Sequence, residues 1–127
     1  MEKITEAANW VSQKLAGPFE YKENHYQNLL IYALQKRSYV ISTEENLTYT
    51  IQDGKNSVVI GYGRLDLKVI SPAGEVFILE LKVAETLKYL KSYKAQIRRY
   101  LQHYEARGAL IVFSSSDKPL VLHIDRD

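Results

Sequence analysis

Asp66, Glu80 and Lys82 have the types and spacing for hydrolytic metal chemistry. Successive side chains in a strand alternate between faces, so Glu80 and Lys82, two apart, point the same way. Their segment, Ile78-Leu79-Glu80-Leu81-Lys82, is otherwise apolar, as expected of a central strand covered on both sides. A carboxylate and an ammonium there have poor access to water unless a cleft opens. Asp66 joins them only in one hairpin register. If Pro72-Ala73-Gly74 is a three-residue loop with Gly74 in the left-handed position, Ser71 faces Glu75 and Asp66 faces Glu80. A two-residue loop would send Asp66 to the opposite face. Two carboxylates about 5 Å apart repel by roughly 3 kcal/mol at an effective dielectric of about 20. Lys82 offsets part of that repulsion, and a divalent cation more. Oxygen ligands in a chain without cysteine favour Mg²⁺ or Mn²⁺ over a structural zinc. Such a cation, with a lysine beside it, can activate water and neutralise a phosphate oxygen. The same three residues can also form a plain cross-strand ion pair, since structural pairs mimic sites.

The elements that must position these groups are legible in outline. Residues 3–15 place Ile4, Ala8, Val11 and Leu15 at helical spacing, and Gly17-Pro18 ends the segment. A second helix is expected over 23–37. Residues 39–51, rich in Val, Ile, Thr and Tyr, read as one or two strands. Asp53-Gly54 signals a turn, with 57–60 as the return strand. Residues 64–70 and 75–83 read as a hairpin around Ser71-Pro72-Ala73-Gly74. A long helix follows over 84–106, with Leu87, Leu90, Ile97, Leu101 and Tyr104 as its buried stripe and Gly108 as its stop. Strands are expected at 109–114 and 120–124. The order α-α-β-β-β-β-α-β-β implies an α/β (α+β) fold, a mixed central β-sheet flanked by helices. On the long helix, Tyr89, Gln96, Tyr100 and His103 share one flank. Lys88, Lys91, Arg98, Arg99 and Gln102 lie on the outward face, which can track phosphates or be an ordinary solvated face.

With 127 residues the chain is expected to form one domain over 1–127. Its formal charge of +2 permits binding to a phosphate backbone without arguing for it. The N-terminal segment has acidic residues and no apolar run, unlike a signal peptide. No stretch approaches the roughly 20 apolar residues that span a bilayer. The expectation is an intracellular protein, cytoplasmic or in the nucleoid or nucleus, with no membrane partner. Gly61-Tyr62-Gly63 is not a dinucleotide fingerprint and no P-loop is present, so no nucleotide cofactor is expected. Ser114-Ser115-Ser116-Asp117 with His123 lacks the nucleophile-elbow pattern of a hydrolase triad. His25, His103 and His123 have no mutual metal spacing.

The ordered set Asp66, Glu80-Leu81-Lys82, Gln96 and Tyr100 resembles the PD-(D/E)XK nuclease superfamily, whose pattern is Asp on one strand, Glu-x-Lys on the next, then a helix with Gln and often Tyr. Glu23-Asn24-His25-Tyr26 looks like the ExxY of its GxxExxY branch, and Gly61-Tyr62-Gly63-Arg64-Leu65-Asp66 like its Gly-x-x-Arg-x-Asp. Glu20 stands where that branch has the glycine three residues before the Glu. The resemblance implies a restriction-endonuclease-like fold and a metal-dependent phosphodiesterase. Asp66 and Glu80 would hold Mg²⁺, with the Leu81 carbonyl as a further ligand and Glu23 contributing from the helix. Lys82 would orient or activate the attacking water, and Gln96 would support Lys82 or the substrate. Arg64, Lys88, Lys91, Arg98, Arg99 and Tyr100 would contact nucleic acid, and the products would carry a 5′-phosphate and a 3′-hydroxyl.

Three functions compete. The first is an endonuclease on DNA. So small a domain has little surface to grip a duplex, and a homodimer would present two active sites. The second is a structure-selective resolvase of four-way (Holliday) junctions. The third is a non-catalytic module that keeps the fold to bind nucleic acid or protein.

Overall fold

The computed structural model describes residues 1–43, 46–64, 67–85, 87–102 and 105–125, with residues 43, 46–49 and 61–64 described by their backbone alone. The elements run α1 (Glu2–Leu15), α2 (Glu23–Lys36), β1 (Val40–Thr43), β2 (Asn46–Asp53), β3 (Asn56–Arg64), β4 (Leu67–Ile70), β5 (Val76–Val83), α3 (Leu90–Leu101), β6 (Arg107–Phe113) and β7 (Leu120–Ile124). Among the described residues five strands form one sheet in the order β1-β4-β5-β6-β7, and β2 pairs with β3. β5 and β6 are parallel and the other neighbours antiparallel, so the main sheet is mixed, as the sequence implies.

The apolar run of β5 has the cause anticipated: it is the middle strand and is covered on both faces. On one face Phe77, Leu79 and Leu81 meet Ala109, Ile111 and Phe113 of β6 and the apolar sides of α1 and α2, including Ile4, Val11, Leu30 and Leu34. On the other face Ile78 meets Leu110 and Val112 of β6 and Ile97, Tyr100 and Leu101 of α3. The first two helices therefore pack on one side and α3 on the other. Among the described residues, no helix is long and apolar enough to cross a membrane.

Several boundaries differ from the sequence reading. Within 64–70, Arg64 is the last residue of β3 and β4 begins at Leu67, while residues 65 and 66 lie outside the described residues. Among the described residues five strands precede α3. The β2–β3 hairpin has its turn at Gly54-Lys55, and its pairing of Asn46 with Arg64 is in the same register as the pairing of Thr43 with Leu67 in β1–β4. The helix expected over 84–106 is only Leu90–Leu101. Ala84 still extends the sheet, donating its N–H to the Phe113 carbonyl at 2.9 Å, and Leu87 is 54% exposed instead of lying in the buried stripe. Tyr104 lies outside the described residues. Gly108 is not a helix stop but a residue of β6. A Cβ built there would lie 2.6 Å from Ile97 Cγ2, so glycine here lets α3 sit directly on the strand.

Candidate active site

The hairpin register is the one that a three-residue loop demands. Leu67 stands opposite Leu79 and Ile70 opposite Val76. Gly74 has φ +88°, its N–H donates to the Ser71 carbonyl at 2.9 Å, and the Ser71 N–H donates to the Glu75 carbonyl at 2.8 Å. Glycine adopts that φ without a Cβ penalty, and the closed loop fixes which β4 residues share a face with which β5 residues. Asp66 itself lies outside the described residues.

Alternation along β5 places Glu80 and Lys82 on the α3 face, in line with Ile78. Glu80 is 2% exposed. Lys82 Nζ lies 3.2 Å from Glu80 Oε1, and its side chain is one-quarter exposed. The pair thus lies where the covered strand reaches solvent: Glu80 within, Lys82 at the opening. Lys82 Nζ also stands 5.3 Å from the centroid of the Tyr93 ring on α3, a cation–π contact that holds the ammonium over the helix flank. One turn further along α3, the Gln96 amide donates to the Tyr100 hydroxyl at 3.0 Å. Tyr100 is buried among the α3-side apolar residues. Expected from sequence among the nucleic-acid contacts, it stands here as the acceptor that tethers Gln96.

Glu23 is the first residue of α2, on the other side of the sheet. The start of that helix is fastened to the end of β6. The Tyr26 hydroxyl donates to the Ser114 carbonyl at 3.3 Å, and the ring stacks on Phe113 at 4.7 Å between centroids. Burial raises the Tyr26 phenol above its ordinary pKa, and the neighbouring Glu85 and Tyr21 raise it further. Because Lys82 pairs with Val112 in the parallel β5–β6 register, Glu23 opens its helix at the same end of the sheet that carries Lys82. His25 accepts the Lys22 N–H through Nδ1 at 2.9 Å and so belongs to the helix start.

At that end a cleft of about 760 Å³ lies between the α1–α2 connection, with Phe19, Tyr21 and Lys22, and the ends of β5 and β6, with Glu85 and Ser115. Glu85 accepts from the Ser115 N–H and hydroxyl at 2.9 and 3.2 Å, bracing the two strand ends. Neither Glu80 nor Lys82 lines this cleft. Glu85 and Tyr93 were not singled out from sequence. Tyr93 sits one turn before Gln96, which could have suggested it, but its pairing with Lys82 depends on where α3 begins.

Of the basic residues, Lys88, Lys91, Arg98 and Arg99 are exposed, and Lys88 Nζ lies 5.5 Å from the Tyr89 ring centroid. Arg64 ends β3, with only its backbone described. The Glu80 carboxylate and the Leu81 carbonyl are hard oxygen donors of the kind Mg²⁺ or Mn²⁺ prefers. Among the described residues no group of three or more His, Cys, Asp or Glu gathers to hold a metal.

A mixed sheet whose central strand ends in a buried glutamate and a half-open lysine, followed by a helix bearing a tethered glutamine, defines a core of the nuclease class. The chain belongs to the PD-(D/E)XK nuclease superfamily, whose family model matches residues 1–123. That match reaches the superfamily and does not confirm the GxxExxY branch. The crystal structure of SSO0001 is similar, with a TM-score of 0.59 and 21% identity over 81% of this chain and 50% of that one. At that identity the likeness shows the fold alone, and the chain spans about half the length of SSO0001. No curated protein matches.

Proposed function

We propose that this chain is a metal-dependent nuclease that hydrolyses phosphodiester bonds in DNA, endonucleolytically, at a centre formed by Asp66, Glu80 and Lys82. The observation that carries this reading is the Glu80–Lys82 pair, 3.2 Å apart, at the solvent end of the central strand of a superfamily member. The β4–β5 register supports including Asp66, because carrying it one residue past Leu67–Leu79 would set position 66 against Glu80. Asp66 and Glu80, with the Leu81 carbonyl and with Glu23 from α2, would hold Mg²⁺ or Mn²⁺. The chemistry supplied by such an ion is neutralisation of phosphate charge and acidification of water.

This chain's own groups then divide the work. Glu80 brings a carboxylate out of bulk water, where its charge acts strongly on whatever sits beside it. Lys82 Nζ, steadied by Glu80 and the Tyr93 ring, orients the attacking water and faces the developing charge on phosphate. Gln96, tethered to buried Tyr100, presents its amide to Lys82 or the substrate. Attack breaks the bond to the 3′ oxygen and leaves a 5′-phosphate and a 3′-hydroxyl. Lys88, Lys91, Arg98 and Arg99, with Arg64 from β3, would track phosphates. A homodimer would offer two such centres to the antiparallel strands of a duplex.

The test is cleavage of linear duplex DNA, single-stranded DNA, RNA and a four-way junction with Mg²⁺, beside Glu80→Gln and Lys82→Ala variants whose folding is verified by circular dichroism. Loss of about 100-fold or more in both variants is expected. Undiminished cleavage in both would overturn the assignment. A preference for the junction over linear duplex would make the enzyme a resolvase, and folded protein inert on every substrate would make it a binding module.

A further inference from the structure

The β2–β3 hairpin keeps the register of the β1–β4 ladder, with Asn46 opposite Arg64 as Thr43 is opposite Leu67, and every residue from 51 to 60 is exposed. A two-stranded hairpin is marginally stable by itself in water. This one nevertheless presents Ile51, Val58, Val59 and Ile60 at 53%, 41%, 48% and 63% exposure. Edge strands usually carry charges that prevent pairing with another chain. From Asn56 to Gly63, β3 has none.

The geometry selects what can lie against that edge. The turn Gly54-Lys55 has two residues, with φ 61° at Gly54, so its flanking pair Asp53 and Asn56 exchange backbone bonds. Alternation then turns the backbone groups of Asn56 and Val58 toward β2 and those of Ser57 and Val59 outward. A second β3 arriving antiparallel, with the two-fold axis at Val58, sets Ser57 opposite Val59 of the other copy twice over. Each of those two pairs can exchange two backbone hydrogen bonds. Val58 then faces its own counterpart in the close, non-hydrogen-bonded spacing. Ile51 already stands across from Val58 within the hairpin, so the four-stranded product carries one apolar stripe: Ile51, Val58, Val58 and Ile51 of the two copies. The bulge between Thr50 and Tyr49 follows immediately and ends the straight edge. Moving the axis to Val59 runs the pairing into that bulge, and moving it to Ser57 places Val58 opposite Asn56.

We infer that β3 is a dimerisation edge, and that its occupant is β3 of a second copy of this chain, paired antiparallel about Val58. The charge-free, self-matching edge favours a second copy over a nucleic acid, for which a ribbon holding only Asp53 and Lys55 near its tip offers no net attraction. This inference does not rest on the nuclease reading, and its test involves no cleavage.

The pairing is short beside the ~1,600 Å² of a standard interface, so the dimer should form at micromolar concentrations or above. Sedimentation velocity across about 10 to 500 µM should show the mass rising from 14.7 kDa toward twice that value. Val58→Lys places two ammonium groups face to face and should weaken the dimer at least about tenfold, with an unchanged circular dichroism spectrum. The chain has no cysteine, so a single introduced thiol reports cleanly. Val58→Cys should form an interchain disulfide under mild oxidation. Lys55→Cys should not, because the two copies of position 55 would lie about 20 Å apart along the paired strands. A wild-type monomer at every concentration, an undiminished dimer in Val58→Lys, or crosslinking in the Lys55→Cys variant as fast as in Val58→Cys would each overturn the inference.

Discussion

Glu80 and Lys82 carry opposite charges at very different depths, and that difference governs what each contributes. A carboxylate at 2% exposure has given up most of its hydration, and the ammonium 3.2 Å away returns part of that loss. Removing one partner from a fully buried pair costs about 3–5 kcal/mol. Lys82 keeps a quarter of its surface in water, so Lys82→Met should cost less, about 1–3 kcal/mol by urea denaturation at pH 7. Glu80→Gln made in the Lys82→Met background should cost less than it does alone, because the two changes remove one interaction. Strict additivity would mean that the pair contributes nothing to folding and would leave its closeness without an energetic basis. The two residues were legible from sequence through their two-residue spacing in an apolar run. The Tyr93 contact was not, because a ring on α3 meets Lys82 only once the helix is known to begin at Leu90.

At the level of elements, the loop Pro72-Ala73-Gly74 was readable because one residue type, glycine at the third position, decides the register of two strands. The length of α3 was not readable. Ala84, Glu85, Leu87 and Lys88 suit a helix by composition, yet Ala84 bonds to Phe113 and Glu85 to Ser115, and those tertiary bonds claim the segment first. Gly108 shows the same limit: a glycine after a helical pattern reads as a stop, whereas here it makes room for Ile97 and Leu101. Gly108→Ala should therefore push α3 away from β6. A Cβ 2.6 Å from Ile97 Cγ2 and 3.2 Å from the Ile124 carbonyl has no free space on either side, and overpacking of this kind costs about 1–3 kcal/mol. Denaturant midpoints would measure that loss. Since α3 also carries Tyr93, Gln96 and Tyr100, any cleavage activity should fall in the same variant at temperatures where it stays folded. A Gly108→Ala protein as stable as the parent would show that α3 can retreat without cost.

Across the whole molecule a net charge of only +2 would draw DNA weakly, so position matters more than total. Lys91, Lys94, Arg98 and Arg99 all fall on α3, which has no acidic residue, and the remainder of the chain is therefore net negative. Arg98 and Arg99 occupy the last turn of the helix, where cations are favoured by the helix dipole whether or not nucleic acid ever arrives. Lys91 occupies the first turn, where the same dipole disfavours a cation by about 0.3–1 kcal/mol. The dipole therefore does not account for its charge, whereas a phosphate would under the proposed function. Lys91→Gln should leave the protein slightly more stable while weakening duplex binding. It should also reduce the slope of log affinity against log salt by about 0.9, the value for one phosphate contact. Fluorescence anisotropy at several salt concentrations with a labelled duplex would measure that slope, using Mg²⁺-free buffer to prevent cleavage. An unchanged slope would remove Lys91 from the binding face and leave Arg98 and Arg99 as helix-terminal charges, whereas the expected fall would distinguish a surface kept for a polyanion from one kept for the helix.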